Sequence, residues 1–211
     1  MSKSTISAID AIKNHYISEI LLKELFVNIT FKSTKKIENK LINLVNKANH
    51  LNERELLKYM YSYGYAVKYD NYINSNWVLK EIDLNDCGVW PLMGGLPESF
   101  TNGSVVDTAN TIKPYLEDKN KLNHSLSRLL YIENLIPYAE IITKHIPLNV
   151  FTGSIIRRNK LMIPKYITDT KDCKYDIEDG NHRAVAMALK GKTKIKAFIG
   201  TRIYKNPYVY Y

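Results

Sequence analysis

Residues 174–200 read KYDIEDGNHRAVAMALKGKTKIKAFIG, and the architecture of the chain turns on how this stretch is parsed. KYDIE alternates Tyr175 and Ile177 with Asp176 and Glu178, the period-two pattern of a half-buried strand. From Asn181 to Lys190 the residues Ala184, Val185, Ala188 and Leu189 fall at helical spacing, and Gly191 supplies a stop. KIKAFIG then alternates Ile195, Ala197 and Ile199 with Lys194, Lys196 and Phe198. The segment therefore reads as strand, tight turn, helix, strand.

The turn is Glu178-Asp179-Gly180-Asn181-His182-Arg183. A glycine lets the backbone approach a ligand closely, and the first amides of the following helix point outward at the positive end of its dipole. Arg183 offers a planar fork for phosphate oxygens, and His182 can donate a hydrogen bond or move a proton. The functional expectation is a phosphate cradle made by Gly180, Asn181, His182 and Arg183. The bland reading of the same residues has Asp179 capping the helix and Arg183 pairing with Glu178 or Asp176.

Charge distribution points the same way. The chain has 211 residues and a formal net charge of +9. Residues 1–143 carry 16 basic against 16 acidic residues, whereas residues 144–211 carry 14 against 5, so the whole excess lies in the last third. Such a footprint suits a polyanion. Arg157, Arg158, Lys160, Lys192, Lys194 and Lys196 are the candidate contacts to a nucleic-acid backbone, with a solvated lysine-rich surface as the alternative.

Working outward, the first half reads mainly helical. Ile9, Ile12, Tyr16, Ile20 and Leu21 keep helical spacing between about Thr5 and Phe26, and Ile37, Leu41, Leu44, Val45 and Ala48 repeat it. Asn52 and Glu55 form a capping box before a stripe of Leu56, Met60 and Tyr63, closed by Gly64. Between Tyr65 and Gly103 the periodicity breaks into Tyr, Asn, Gly and Pro-rich sequence, expected to be a boundary or an elaborated loop. Ser104 and Asp107 start another helix, expected to stop at Pro114, and a further one runs through Leu122, Leu126, Leu129 and Leu130 to Pro137. IPLNVF and KLMIPKYI follow as candidate strands.

Several classes are disfavoured. Cys87 and Cys173 have no CxxC partner, and the five histidines show no metal-ligand spacing, so both thiols are expected free and no metal site is predicted. No apolar run approaches the roughly 18–20 residues of a membrane span. Asp10, Lys13 and Glu19 interrupt the N-terminal stretch where a secretory leader would be apolar, so the expected location is the cytoplasm.

The 27 residues from Lys174 to Gly200 resemble the signature of the ParB/sulfiredoxin superfamily: a strand entering a DGxHR-like turn, a helix rich in small residues, a glycine and a strand. The resemblance implies a ParB/sulfiredoxin-like domain of mixed sheet and flanking helices over residues 101–211; together with the helical reading of residues 1–100, which have no counterpart in that family, the expected class is α+β. It implies that the Asp179–Arg183 turn binds nucleotide (ATP, ADP or CTP) or substrate phosphate, with Mg2+ a possible companion. Sulfiredoxins place a cysteine where this chain has Asn181, so sulfinic-acid repair is not expected. No partition-type helix-turn-helix follows the signature.

The leading expectation is phosphate chemistry on nucleic acid, as nucleotide hydrolysis, phosphodiester cleavage or both. Arg183 would stabilise phosphoryl charge, His182 would donate a proton, and Glu178 or Asp179 would activate water or position a metal. One alternative is a small-molecule kinase resembling free-serine kinases, whose base would come from Asp107, Glu98 or Glu140. Another is a nonenzymatic module binding DNA or a protein partner, the latter through the helical N-terminal half, with tyrosine-rich stretches such as YMYSYGY stacking on bases.

Overall fold

The computed structural model describes residues 4–27, 33–89, 103–118, 126–152 and 173–203. The protein is α+β. Its strands are β1 (Ser4–Ile6), β2 (Ser75–Asp83), β3 (Cys87–Gly88), β4 (Leu148–Thr152), β5 (Tyr175–Asp179) and β6 (Lys194–Arg202). They form one mixed sheet in the order β1-β2-β6-β4-β5-β3, in which β4 runs parallel to β6 and antiparallel to β5.

The helices are α1 (Ala8–Val27), α2 (Thr34–Asn49), α3 (Glu53–Ser62), α4 (Ala66–Ile73), α5 (Val105–Glu117), α6 (Leu126–Leu135), α7 (Ala139–His145) and α8 (Asn181–Leu189). The capping box at Asn52 and Glu55 forms in both directions, and Ser104 caps α5. Helix α5 runs through Pro114 to Glu117, where an interruption was expected. Pro114 and Asn110 both lie on the exposed side, so water can satisfy the carbonyl that loses its amide partner.

The first hundred residues carry helices α1 to α4 but also supply strands to the sheet. SNWVLKEID, within the stretch read as boundary or loop, is strand β2, and it pairs along its whole length with β6. Ser4–Ile6 then pairs with β2 and Cys87–Gly88 with β5, so residues on both sides of position 100 build the same sheet. The reason is visible in β2's burial: its alternation is irregular, with Ser75, Trp77 and Ile82 the buried positions, and the period-two signal is lost.

Helices cover both faces. On one, Val150, Tyr175, Ile177, Ile195, Ala197 and Ile199 share a core with residues of α5, α6 and α8. On the other, Trp77 and Phe151 pack with Ala11, Ile12, Leu56, Met60 and Tyr72 from α1, α3 and α4. Gly200 is what lets those two aromatic rings meet, since a Cβ there would lie 2.7 Å from Phe151 and 2.8 Å from Trp77. Two-sided coverage also corrects the reading of β5 as half-buried: all five of its residues, including Asp176, Glu178 and Asp179, are buried. Of the remaining strand candidates, KLMIPKYI lies outside the described residues, whereas IPLNVF covers all of β4 but its last residue, Thr152.

Among the described residues no helix is long and apolar enough to cross a membrane. Cys87 and Cys173 are buried, and neither is in a disulfide among the described residues.

Candidate functional site

The signature turn sits at the C-terminal end of β5 and leads directly into α8. Gly180 takes φ of 100°, in the left-handed region, and serves as the residue before the helix. The group that comes closest to it is the chain's own Arg183. A Cβ at Gly180 would lie 2.8 Å from Arg183 Nη2 and 2.5 Å from Leu148 Cδ2. The glycine is therefore needed for a guanidinium that folds back over it, as well as for the turn.

Arg183 is fully buried. Its Nη2 donates to Asp179 Oδ2 at 2.8 Å and to Ser18 Oγ at 3.0 Å, while Nη1 donates to the carbonyl of Ile146 and, at 3.4 Å, to that of Pro147. Ser18 in turn donates to Asp179 Oδ1 at 2.8 Å. These contacts close α1 and the α7–β4 junction onto the turn. They also correct the expected role of Arg183 as an outward phosphate fork, because four of its donor contacts are spent inside the protein; Nε alone has no partner among the described residues. Asp179, with one oxygen to Ser18 and the other to Arg183, is likewise committed.

A polar seam continues beneath α1. Asn14 Nδ2 donates to the Pro147 carbonyl at 2.8 Å and to Asn149 Oδ1 at 2.9 Å, and Asn149 Nδ2 donates to the Ala11 carbonyl and the Tyr72 hydroxyl. His15 lies in the same seam, fully buried, with no hydrogen-bond partner for either ring nitrogen among the described residues. It packs edge-on to Tyr65 at 5.2 Å and tilted against Tyr72 at 5.8 Å. Burial pushes its imidazole below the ordinary value and outweighs the pull of the Asp179 carboxylate, with the Lys68 charge adding to the depression.

Beside it, Lys68 Nζ on α4 stands 3.2 Å from Glu178 Oε1. The Lys68 side chain is 26% exposed and that of Glu178 only 1%. Burial works against the ammonium, but the carboxylates of Glu178, Asp179 and Glu19 together hold Lys68 above its usual value. Tyr65 donates its hydroxyl to Glu19 Oε2 at 3.0 Å and receives the Lys68 ammonium over its ring at 4.9 Å.

The sequence-derived candidates thus separate. Glu178, Asp179, Gly180, Asn181, His182 and Arg183 are brought together by the turn, with Gly180, Asn181 and His182 partly exposed and Arg183 inside. His182 rests edge-on against Tyr131 of α6 at 5.1 Å. Lys192 is ion-paired with Glu140, as is Lys190 at 2.7 Å, and these pairs hold the Glu140 carboxyl down at about 2. Lys194 approaches Glu81 at 3.8 Å, and Lys196 is exposed. Because Asn149 sits opposite both Asp179 and Phe198, Lys194 and Lys196 lie at the same end of the sheet as the turn. Arg157, Arg158, Lys160 and Glu98 lie outside the described residues. Asp107 is in the first turn of α5, its amide donating to Ser104 Oγ.

In comparisons with known proteins, no family model, no curated protein and no solved structure matches the chain.

Sequence reasoning missed His15, Ser18, Glu19 and Lys68, and singled out Tyr65 only as part of the tyrosine-rich stretch YMYSYGY. One signal was present: Ala11, Asn14, His15 and Ser18 stand at i, i+3, i+4 and i+7, which puts three polar side chains on the buried face of α1. Among the described residues no three His, Cys, Asp or Glu side chains are grouped to hold a metal ion. With Asp179 bound to Ser18 and Arg183, and Glu178 to Lys68, the turn does not fit a Mg2+ held by the protein alone.

Proposed function

We propose that this chain is a ParB/sulfiredoxin-like protein that binds the phosphate of a nucleotide or of nucleic acid at the mouth of the β5–α8 turn and hydrolyses it. One observation supports this reading above the others: a lysine held in its charged form, Lys68, stands 3.2 Å from a buried carboxylate, Glu178, two residues before the left-handed glycine that opens α8. The amides of Asn181 and His182 and the helix dipole supply the anion-binding end. Lys68 takes the cationic role that Arg183, turned inward, does not. Glu178 is the base that accepts a proton from attacking water once phosphate draws Lys68 away, and His182 donates to the departing oxygen.

The test is turnover of labelled ATP, CTP and plasmid DNA with and without Mg2+. Hydrolysis of one of these, lost in Lys68→Gln and in His182→Ala with circular dichroism unchanged, is the expected result. If neither nucleotide nor DNA is retained at low salt, the reading fails.

A second reading has its own observation. With Arg183 consumed in an internal network, the turn resembles a structural latch, and the protein would be a binding module without turnover. Salt-dependent retention of nucleic acid with no product at any Mg2+ concentration would select it.

A further inference from the structure

Helix α3 carries an unusual exposed face. Arg54, Lys58 and Tyr61 follow at i, i+4 and i+7, so all three lie along one side of the helix, and all three are exposed. Neither Arg54 nor Lys58 makes an ion pair among the described residues. The acidic residues of the same helix are engaged elsewhere, Glu53 accepting from the Tyr69 hydroxyl at 3.1 Å and Glu55 closing the capping box on Asn52.

Tyr63, the residue that follows the helix, is exposed as well. Tyr61 and Tyr63 are 58% and 61% exposed, although the sequence pattern places Tyr63 on the core stripe with Leu56 and Met60. Tyr63 lies nearly parallel to Tyr65, with an interplanar angle of 15° and centroids 6.4 Å apart, and 4.9 Å from Tyr59. Tyr65 is the ring that meets both the Lys68 ammonium and the buried His15. Tyr63 and Tyr65 thus lead from the exposed end of α3 to a cation and to an imidazole whose two nitrogens have no hydrogen-bond partner among the described residues.

We infer that this face binds single-stranded nucleic acid, with unpaired bases stacked on Tyr61 and Tyr63 and backbone phosphates on Arg54 and Lys58. The chemistry selects the occupant. Duplex bases offer no faces to a tyrosine, an uncharged or basic peptide gains nothing from two unpaired cations, and a strand with splayed bases uses both kinds of group. A strand lying along Tyr63 and Tyr65 would bring a phosphate to Lys68. In that respect the inference names the polymer for the site proposed above and rests on that reading, while the stacking face consists of different residues.

The experiment is fluorescence anisotropy of the full chain with a labelled single-stranded oligonucleotide, an abasic strand of the same length and the matching duplex, at low and moderate salt. Expected are preferential binding of the base-bearing single strand, a loss of about tenfold in Tyr61→Ala/Tyr63→Ala confined to that strand, and a shallower salt dependence in Arg54→Ala/Lys58→Ala. Equal affinity for the abasic strand, or an unchanged affinity in the tyrosine double variant, overturns the inference. Turnover is read on the same samples. Binding lost with the tyrosines but no hydrolysis at all, and no effect of Lys68→Gln, would sink the hydrolytic site and leave the stacking face standing. Hydrolysis that ignores the tyrosine variant would do the reverse.

Discussion

Arg183 Nη2 lies 2.8 Å from Asp179 Oδ2, one helical turn earlier in the chain, and the two residues are joined a second time through Ser18 of α1. The ends of the signature turn are thereby locked to each other and to a helix about 160 residues away in sequence.

Removing Arg183 should destabilise the fold before it says anything about catalysis. Arg183→Ala leaves Asp179 buried without its cation, a loss of about 3–5 kcal/mol by the usual cost of breaking a buried pair. Urea denaturation measures it. The double variant Asp179→Asn/Arg183→Met should lose less than the two single losses added together, because the residues act as a unit.

Gly180→Ala tests the close approach. At φ of 100°, and with a Cβ placed 2.5 Å from Leu148 Cδ2, alanine is strained by its backbone and by its neighbours. A loss of at least about 1–3 kcal/mol is expected from the backbone conformation alone. Gly64→Ala makes the comparison, since φ there is also positive but nothing lies within 4 Å of the added carbon. Thermal melts of the two variants should differ, with Gly180→Ala the lower.

Lys68→Gln should separate activity from stability. If Lys68 stabilises the transferring phosphoryl group, its removal lowers turnover by about 10²–10³. Because its side chain is partly exposed, the change in the urea midpoint should be smaller than for Arg183→Ala. Equal losses in both variants would assign Lys68 a structural role only.

Stability should fall on mild acidification because of His15. Its imidazole is buried neutral, with its proton affinity depressed mainly by burial. The unfolded chain therefore binds a proton that the folded chain refuses, beginning near the unperturbed value of about 6.5. The contribution is fully present above that pH and is lost as pH falls below it, with a slope of at most about 1.4 kcal/mol per pH unit for one group. Unfolding midpoints of the wild type and of His15→Phe, measured between pH 7.5 and about 5, should diverge in this window, with the variant losing the slope.

The elements whose signal is local were readable along the chain. The capping box at Asn52 and Glu55, the cap at Ser104, the stripe of Ile37, Leu41 and Ala48, and the strand–turn–helix–strand of residues 174–200 each depend on contacts within a few positions. Strand β2 was not readable, because its burial does not alternate cleanly and its identity comes from pairing with β6 more than a hundred residues later. Tyr63 fell on the apolar stripe of α3 by spacing yet is exposed, since it follows the helix end and no element covers it among the described residues.

What the linear order of residues determined was the turn itself: a glycine between a strand and a helix, with Asp179 and Arg183 four apart and able to face each other. Which way Arg183 points was decided by the tertiary fold. Once α1 lies across the strand ends, Ser18 and the Ile146 carbonyl join Asp179 in offering buried acceptors to both terminal nitrogens of the guanidinium, and a cation removed from water goes where its hydrogen bonds are made.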